Sequence, residues 1–456
     1  GFGSTDRRQF MKAASAAGTA GLVGLAGCTG GGTDGGESGD GGDGGDSAGI
    51  TFGQPAILTG GLSGIQPPVS ASTDLAVQKI NEAGGPLGEE INVVRRDTAY
   101  DPTTAREKLR QLINVDNAAV ITGLTSTTAV PTWDFIQELE APVVTMYAGS
   151  RFFDTRGGDN GTPQDLSDDG WFWRTTGADT QHTAGAALHA QSSDATNIGV
   201  INTKTSGART WAEAFYDAIG VLDGVTQTKK LEVEGGKTTY RSDLESFFEA
   251  DIDLFGVAVE EAPDAVTMLD QWKQAGYGGK VMLSNPMKNP DVRENLGSRL
   301  QDDWVRVSVP ATSGPWADTY IEELDSFVTS SDTYDDDLSK NSWSASAYDS
   351  ITVSALAIHR AGEATHEAIQ KNLGPVARPP GKKVSTFADG KEALDNDEEI
   401  NFVGAQTKVN FNDKGDVFND VKIWSLGPEW TEQTQIEGSE IEPVVQDVAE
   451  QSSDSS

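Results

Sequence analysis

The sequence predicts an α/β protein: two doubly wound parallel-sheet lobes in series, with helices on both faces of each sheet. Three observations carry this. Short apolar runs alternate with segments of helical spacing from about residue 50 to residue 285. The runs are apolar throughout rather than at every second residue, as expected of strands covered on both faces. The alternation restarts at Asn197, so one set of crossovers is followed by another.

The elements follow in order. Ile50 to Leu58 reads as the first strand. Leu75, Ala76, Ile80 and Ala83 have helical spacing, and Gly84-Gly85-Pro86 ends that helix with a left-handed glycine and a breaker. Ile91 to Val94 is the next strand. Asp101-Pro102 supplies an N-cap and a proline at the first helical position, and the helix carries Ala105, Leu109, Leu112 and Ile113 on one face. The strand 118–121, a helix through Val130, Ile136 and Leu139, and the strand 142–145 complete the first series. From Asn197 the strands are expected at 198–201, 229–234, 254–259 and 281–283, with helices at 209–220, 240–250 and 263–275. Helices at 320–328 and 345–361 are expected to finish the first lobe. Thr407 to Ile423 reads as two strands around the turn Asn412-Asp413-Lys414-Gly415.

A chain of 456 residues is too long for one core. Its formal charge is 34 − 70 = −36, which repels phosphate backbones and excludes nucleic acid as a natural partner. A carboxylate coat of this kind suits a salt-loving, haloarchaeal-like source, because salt screens the repulsion. The lone cysteine, Cys28, excludes an intramolecular disulfide. His182, His189, His359 and His366 have no metal-ligand spacing, and no Gly-x-Ser-x-Gly elbow occurs. No catalytic residue, metal or cofactor is therefore expected. Asp335-Asp336-Asp337 reads as a hydrated loop rather than a calcium site, and Asn160-Gly161-Thr162 is a glycosylation sequon.

The first fifty residues read as an address. Arg7-Arg8 precedes the short apolar stretch Ala13 to Gly27, too short to span a bilayer. The pattern resembles a twin-arginine export signal. Leu25-Ala26-Gly27-Cys28 resembles a lipobox, which implies cleavage before Cys28 and lipid on its thiol, anchoring the protein to the outer face of the cell membrane. Residues 29–49 are almost wholly Gly, Asp, Ser, Thr and Glu, a flexible acidic tether. The expected organisation is a signal (1–27), the tether (28–49), lobe one (50–175 plus 306–400), lobe two (176–305 plus 401–430) and a loose acidic tail (431–456).

Several stretches together resemble the type I periplasmic binding proteins, in the subgroup typified by the leucine/isoleucine/valine-binding protein. They are Ile50-Thr51-Phe52-Gly53 with Thr59-Gly60-Gly61, the helix and stop from Ala76 to Gly85, Asp97 to Pro102, Phe172-Trp173-Arg174-Thr175, Ala347-Tyr348-Asp349-Ser350, and Val409 to Val417. The resemblance implies two lobes joined by a three-segment hinge, with ligand in the cleft and closure on binding. It also implies the solute-binding subunit of an ABC importer, working with a membrane permease and its ATPase subunits. Open sheets bind ligands beyond the carboxyl ends of their strands. In lobe one these ends are Thr125 to Thr128 and Tyr147 to Ser150, so Ser126, Thr127, Ala148, Gly149 and Ser150 are expected to hold a carboxylate or amide oxygen. In lobe two the expected contacts are Gly207, Glu260 and Asn285; Asn285 stands where amino-acid binders of this family place a carboxylate. The solute class is a branched-chain amino acid, an amide or urea, or a small organic acid. The alternatives are a ligand-sensing ectodomain partnering a signalling receptor, and a structural surface glycoprotein.

Overall fold

The computed structural model describes residues 49–154, 170–335, 338 and 341–454. The leader, Cys28, the tether through residue 48, the sequon at Asn160, and Asp336 and Asp337 lie outside the described residues.

The first lobe begins with β1 (Ile50–Ala56), α1 (Gln66–Glu82), β2 (Ile91–Asp97), α2 (Pro102–Asn114), β3 (Val120–Ile121), the single-turn α3 (Ser126–Ala129), α4 (Trp133–Glu138), β4 (Val143–Thr145) and β5 (Phe172–Arg174). Its five strands are all parallel, in the order β2-β1-β3-β4-β5. The chain then forms α5 (Asp179–Gln191), β6 (Asn197–Thr203), α6 (Ser206–Val221), β7 (Thr226–Val233), α7 (Arg241–Phe247), β8 (Leu254–Ala258), α8 (Ala262–Ala275), β9 (Lys280–Leu283), α9 (Pro290–Leu296) and β10 (Val305–Pro310). It returns to the first lobe for α10 (Ala317–Thr329), α11 (Ser342–Ala361), α12 (His366–Ala377), β11 (Lys382–Val384), α13 (Phe387–Asp395) and β12 (Ile400–Phe402). It ends in the second with β13 (Val421–Ser425), β14 (Thr431–Ile436) and α14 (Gly438–Asp454). The second sheet runs β14-β13-β10-β9-β8-β6-β7, with β13 antiparallel to both its neighbours.

Local chemistry sets the boundaries. Asp101 accepts the Thr104 N–H at 2.8 Å and Pro102 opens α2. Thr125 and Thr128 form a reciprocal capping box on α3. Gly84 and Gly85 take φ of +87° and +65° after α1, and Gly85 N–H returns to the Ile80 carbonyl at 2.9 Å. Each sheet is covered twice. Phe52, Val120 and Trp173 pack with α1, α11 and α12, while Ile121, Val143 and Phe172 pack with α2 and α4. In the second lobe Val257, Val281 and Val307 face α8 and α9, and Val200, Leu254 and Ile423 face α5, α6 and α14.

Three segments cross between the lobes: 174–178, 310–314 and 417–421. They are tied to one another. Gln181 Nε2 donates to the Val417 carbonyl at 2.9 Å, Ala311 N–H donates to Asp420 O at 2.8 Å, and Gln406 Nε2 donates to Ala311 O at 3.0 Å. Several expectations need correction here. Residues 306–310 belong to the second sheet, because β10 pairs with β9 and β13. Residues 401–417 stay with the first lobe, whose core holds Phe402, Val409, Phe411 and Val417. The tail is not loose through Asp454. β14 pairs with β13, and Ile441, Val444 and Val448 form a buried helical stripe among the acids of α14. The turn at 412–416 exists, with Asn412 Oδ1 accepting from Lys414 and Asp416 N–H at 2.9 Å each, but residues 403–420 form no strand around it.

Candidate functional site

The lobe-one side of the cleft is built from the loops after β1, β2, β3 and β4. Ser126 Oγ accepts the Ser150 N–H at 3.0 Å, and Thr145 Oγ1 donates to the Leu124 carbonyl at 2.7 Å, so the last two loops brace each other. Four non-glycine residues beside the cleft hold left-handed backbones: Leu62, Ala99, Tyr100 and Leu124, at φ of 59°, 50°, 58° and 75°.

 Such strain persists where surrounding contacts hold it. Here Asp97 Oδ1 accepts N–H bonds from Leu58, Thr59 and Ala99 at 2.9–3.2 Å, and Oδ2 accepts the Thr59 hydroxyl at 2.6 Å.

The lobe-two side comes from the start of α5 and the loops after β6, β8 and β9. Thr205 caps α6 by accepting the Ala208 N–H, which leaves Gly207 at the cleft surface. Glu260 stands just past β8. Ser284 Oγ donates to the Val259 carbonyl at 2.9 Å, which fixes the start of the Asn285–Met287 turn. The lobes meet directly. Thr127 Oγ1 donates to the Glu260 carboxylate (3.1 and 3.2 Å) and accepts the Tyr100 hydroxyl at 3.1 Å and the Gly207 N–H at 3.4 Å. Asp179 N–H donates to Gly149 O at 2.5 Å, and Arg151 pairs with Asp217 at 2.5 Å. A Cβ on Gly149 would stand 2.5 Å from Asp179 Oδ1, and one on Gly207 would stand 2.1 Å from Glu260 Oε1.

Between these contacts is a cavity of about 40 Å³, room for a few waters but not for a leucine. Seating a solute of that size therefore requires the lobes to part. The cavity has an apolar wall of Leu62, Ile65, Trp211, Val259, Pro286 and Trp343. Its charged lining consists of Glu260 and Asp179; neither Lys nor Arg lines it among the described residues. Burial raises the Glu260 carboxyl pKa, against hydrogen bonds from Thr205, Tyr100 and Thr127 that lower it. Asp179 accepts from His182 Nε2 at 2.9 Å and from the Thr210 hydroxyl at 3.0 Å.

Of the residues singled out in the sequence, Ser126, Gly149, Gly207, Glu260 and Asn285 line the cavity. Thr127, Ala148 and Ser150 do not. Thr127 is engaged with Glu260, and the carbonyls of Ala148 and Ser150 turn away to accept Arg174 Nη1 at 3.3 and 3.0 Å. Asp179, Leu62, Ile65, Trp211 and Trp343 were not among them. Asp179 had a usable signal, an acid opening the segment just after Arg174. Its helix is so rich in Ala and Thr that no apolar face announces it.

Two α/β lobes with three crossings, and polar loops converging on a cleft at the strand ends, define a solute-trapping protein. The chain belongs to the periplasmic binding protein family, whose model matches residues 49–386. It is 24% identical to Leu/Ile/Val-binding protein homolog 3 of Brucella melitensis over 70% of this chain and 82% of that one. Its fold is similar to that of the leucine-binding protein LivK of Thermotoga maritima (TM-score 0.67, 17% identity, covering 86% of this chain and 99% of that one). It is also similar to the substrate-binding protein LivJ of Streptococcus pneumoniae in complex with isoleucine (TM-score 0.63, 15% identity, 84% and 99% covered). No described helix is long and apolar enough to cross a membrane.

Proposed function

We propose that the chain is the extracytoplasmic solute-binding subunit of an ABC importer and captures an apolar α-amino acid by closure of its two lobes. The observation that carries this is the charge of the cleft. Two buried carboxylates, Glu260 and Asp179, face it without a lining cation, beside a wall of aliphatic and indole side chains. A ligand with an ammonium group supplies the missing positive charge, and a branched aliphatic side chain fills the apolar wall. A purely anionic organic acid finds no countercharge there, and urea or a simple amide leaves Glu260 without one. The Ser126 and Gly149 loops offer hydroxyl and N–H groups for the ligand's carboxylate. Lipid on Cys28 would keep the protein at the outer face of the membrane, where it delivers its solute to a permease driven by ATPase subunits.

Isothermal titration of the purified protein with leucine, isoleucine, valine, urea, acetamide and benzoate tests the reading. Saturable heat with the amino acids and none with the others is expected. Binding of benzoate or urea without binding of any amino acid refutes it.

A further inference from the structure

A second interlobe cavity lies beside the hinge, away from the solute cleft, with a volume of about 270 Å³. Asn341 and Ser344 contribute to it from the first lobe, and Lys288, Lys422, Trp424 and Glu432 from the second. The Lys288 ammonium sits 4.1 Å from the centre of the Trp424 ring, a cation–π contact that holds it in place. It makes no ion pair with a carboxylate among the described residues. Lys422 pairs with Glu432 at 3.1 Å. The charge of the lining is thus two ammonium groups less one carboxylate, 2 − 1 = +1, in a chain whose total is −36.

Lys288 is half-buried, and a cation with reduced access to water and no ion pair among the described residues is disfavoured. Burial depresses the Lys288 pKa to about 8, against the attraction of Glu432. Loss of the proton relieves that cost, and so does entry of an anion. The cavity is many times the ~10–15 Å³ that one water needs, and it is lined by hydroxyl and amide groups as well as by the lysines, so it is open to a hydrated ion. We infer that the Lys288–Trp424 cavity is a binding site for a small monovalent anion, chloride or a simple carboxylate, that bridges the two lobes beside the hinge.

An ion that touches both lobes binds the closed arrangement better than an open one, and it stabilises that arrangement by mass action. Closure would then respond to the identity of the anion as well as to ionic strength.

The test uses the whole chain, with no solute added. Melting temperature is followed at constant ionic strength while gluconate is replaced by chloride in one series and by acetate in another. The wild type should melt about 1–2 °C higher in chloride, in acetate or in both. Lys288→Met should lose that increment, and Lys288→Arg should keep it. Chloride NMR line broadening by the wild type, absent with Lys288→Met, is the second readout and does not depend on how well the variant resists heat. A larger effect of chloride than of acetate identifies the inorganic ion as the preferred occupant, and the reverse identifies a carboxylate. An equal anion response in wild type and Lys288→Met, by melting and by line width, overturns the inference.

Discussion

Glu260→Gln separates affinity from stability at the centre of the cleft. Glu260 is 7% exposed, and burial raises its pKa, so the ionised form is held at a cost. Glutamine has nearly the same shape and keeps a carbonyl oxygen to accept the Thr127 hydroxyl, now 3.1–3.2 Å from the carboxylate. The interlobe contact therefore survives while the charge goes. An ammonium ligand loses a charge-assisted hydrogen bond worth about 1.5–3 kcal/mol, which at 1.4 kcal/mol per decade is roughly a 10- to 150-fold weaker Kd. The ligand-free protein should melt at the same temperature or higher, because a buried charge has been removed. Isothermal titration with leucine and scanning calorimetry read the two effects. Wild-type affinity in Glu260→Gln would refute the assignment of Glu260 to the ammonium; a collapse in melting temperature would show that the carboxylate is chiefly structural.

Gly149→Val places a branched side chain against Asp179, where even a Cβ would lie 2.5 Å from Oδ1; it should wedge the lobes apart, raise the radius of gyration by small-angle scattering and weaken leucine binding at least tenfold. Arg174 is fully buried between Asp416 (2.6 Å) and Asp154 (2.8 Å), so Arg174→Met leaves the buried Asp416 and the half-buried Asp154 without their cation and should cost about 3 kcal/mol in urea unfolding, part of which Asp154→Asn restores. Asp349 is buried and accepts the Ala405 and Gln406 N–H groups at 2.7 and 2.8 Å, yet burial outweighs those bonds and raises its pKa to about 7. With the folded pKa above the unfolded one, the proton bound at Asp349 favours the folded state below the ordinary carboxylate range, and that contribution is lost as pH rises through 7. Urea unfolding should therefore show wild type losing stability relative to Asp349→Asn between pH 5 and pH 8; the same offset at both would show that Asp349 does not titrate in this range.

Much of the fold was legible because its signals are local. Asp101-Pro102, Gly84-Gly85 and the uniform apolar runs each act within a few residues, and the strands and helices they predict are present. What was hidden depends on distant partners. The segment from Asp179 to Gln191 is buried on almost every side, so it has no amphipathic period to read. Residues 431–454 look like an acidic tail until β13 supplies a strand to pair with and α5 and α6 receive Ile441 and Val444. The crossings were displaced for the same reason: β10 is a plausible strand of either lobe until β9 claims it. At the site, sequence could mark loops at strand ends but not which atoms face inward. Ser150 and Ala148 belong to the right loop, and Arg174, far away in sequence, turns their carbonyls out of the cleft.

On the proposed function, the cleft's selectivity would follow from an exchange of partners. Moving a two-state equilibrium from 1:99 to 99:1 requires a ligand to favour one state by about 5.5 kcal/mol. Part of the closed arrangement is held by contacts that a ligand need not disturb, such as Arg151 with Asp217 at the rim. The Thr127–Glu260 contact is different, because its acceptor, Glu260, lines the cavity that a solute must enter. A ligand that displaces the Thr127 hydroxyl strips a buried carboxylate of a donor, and closure is favourable only if the ligand returns one of at least equal strength. An ammonium does so with three N–H groups and a full charge; a methylene in its place does not. Removing only the amino group of leucine, to give 4-methylpentanoate, keeps the branched side chain and the carboxylate and should weaken binding by roughly 10²-fold or more. Comparable affinity for the two compounds in titration would mean that Glu260 and Asp179 do not select the ligand, and that the apolar wall and the lobe-one loops alone do.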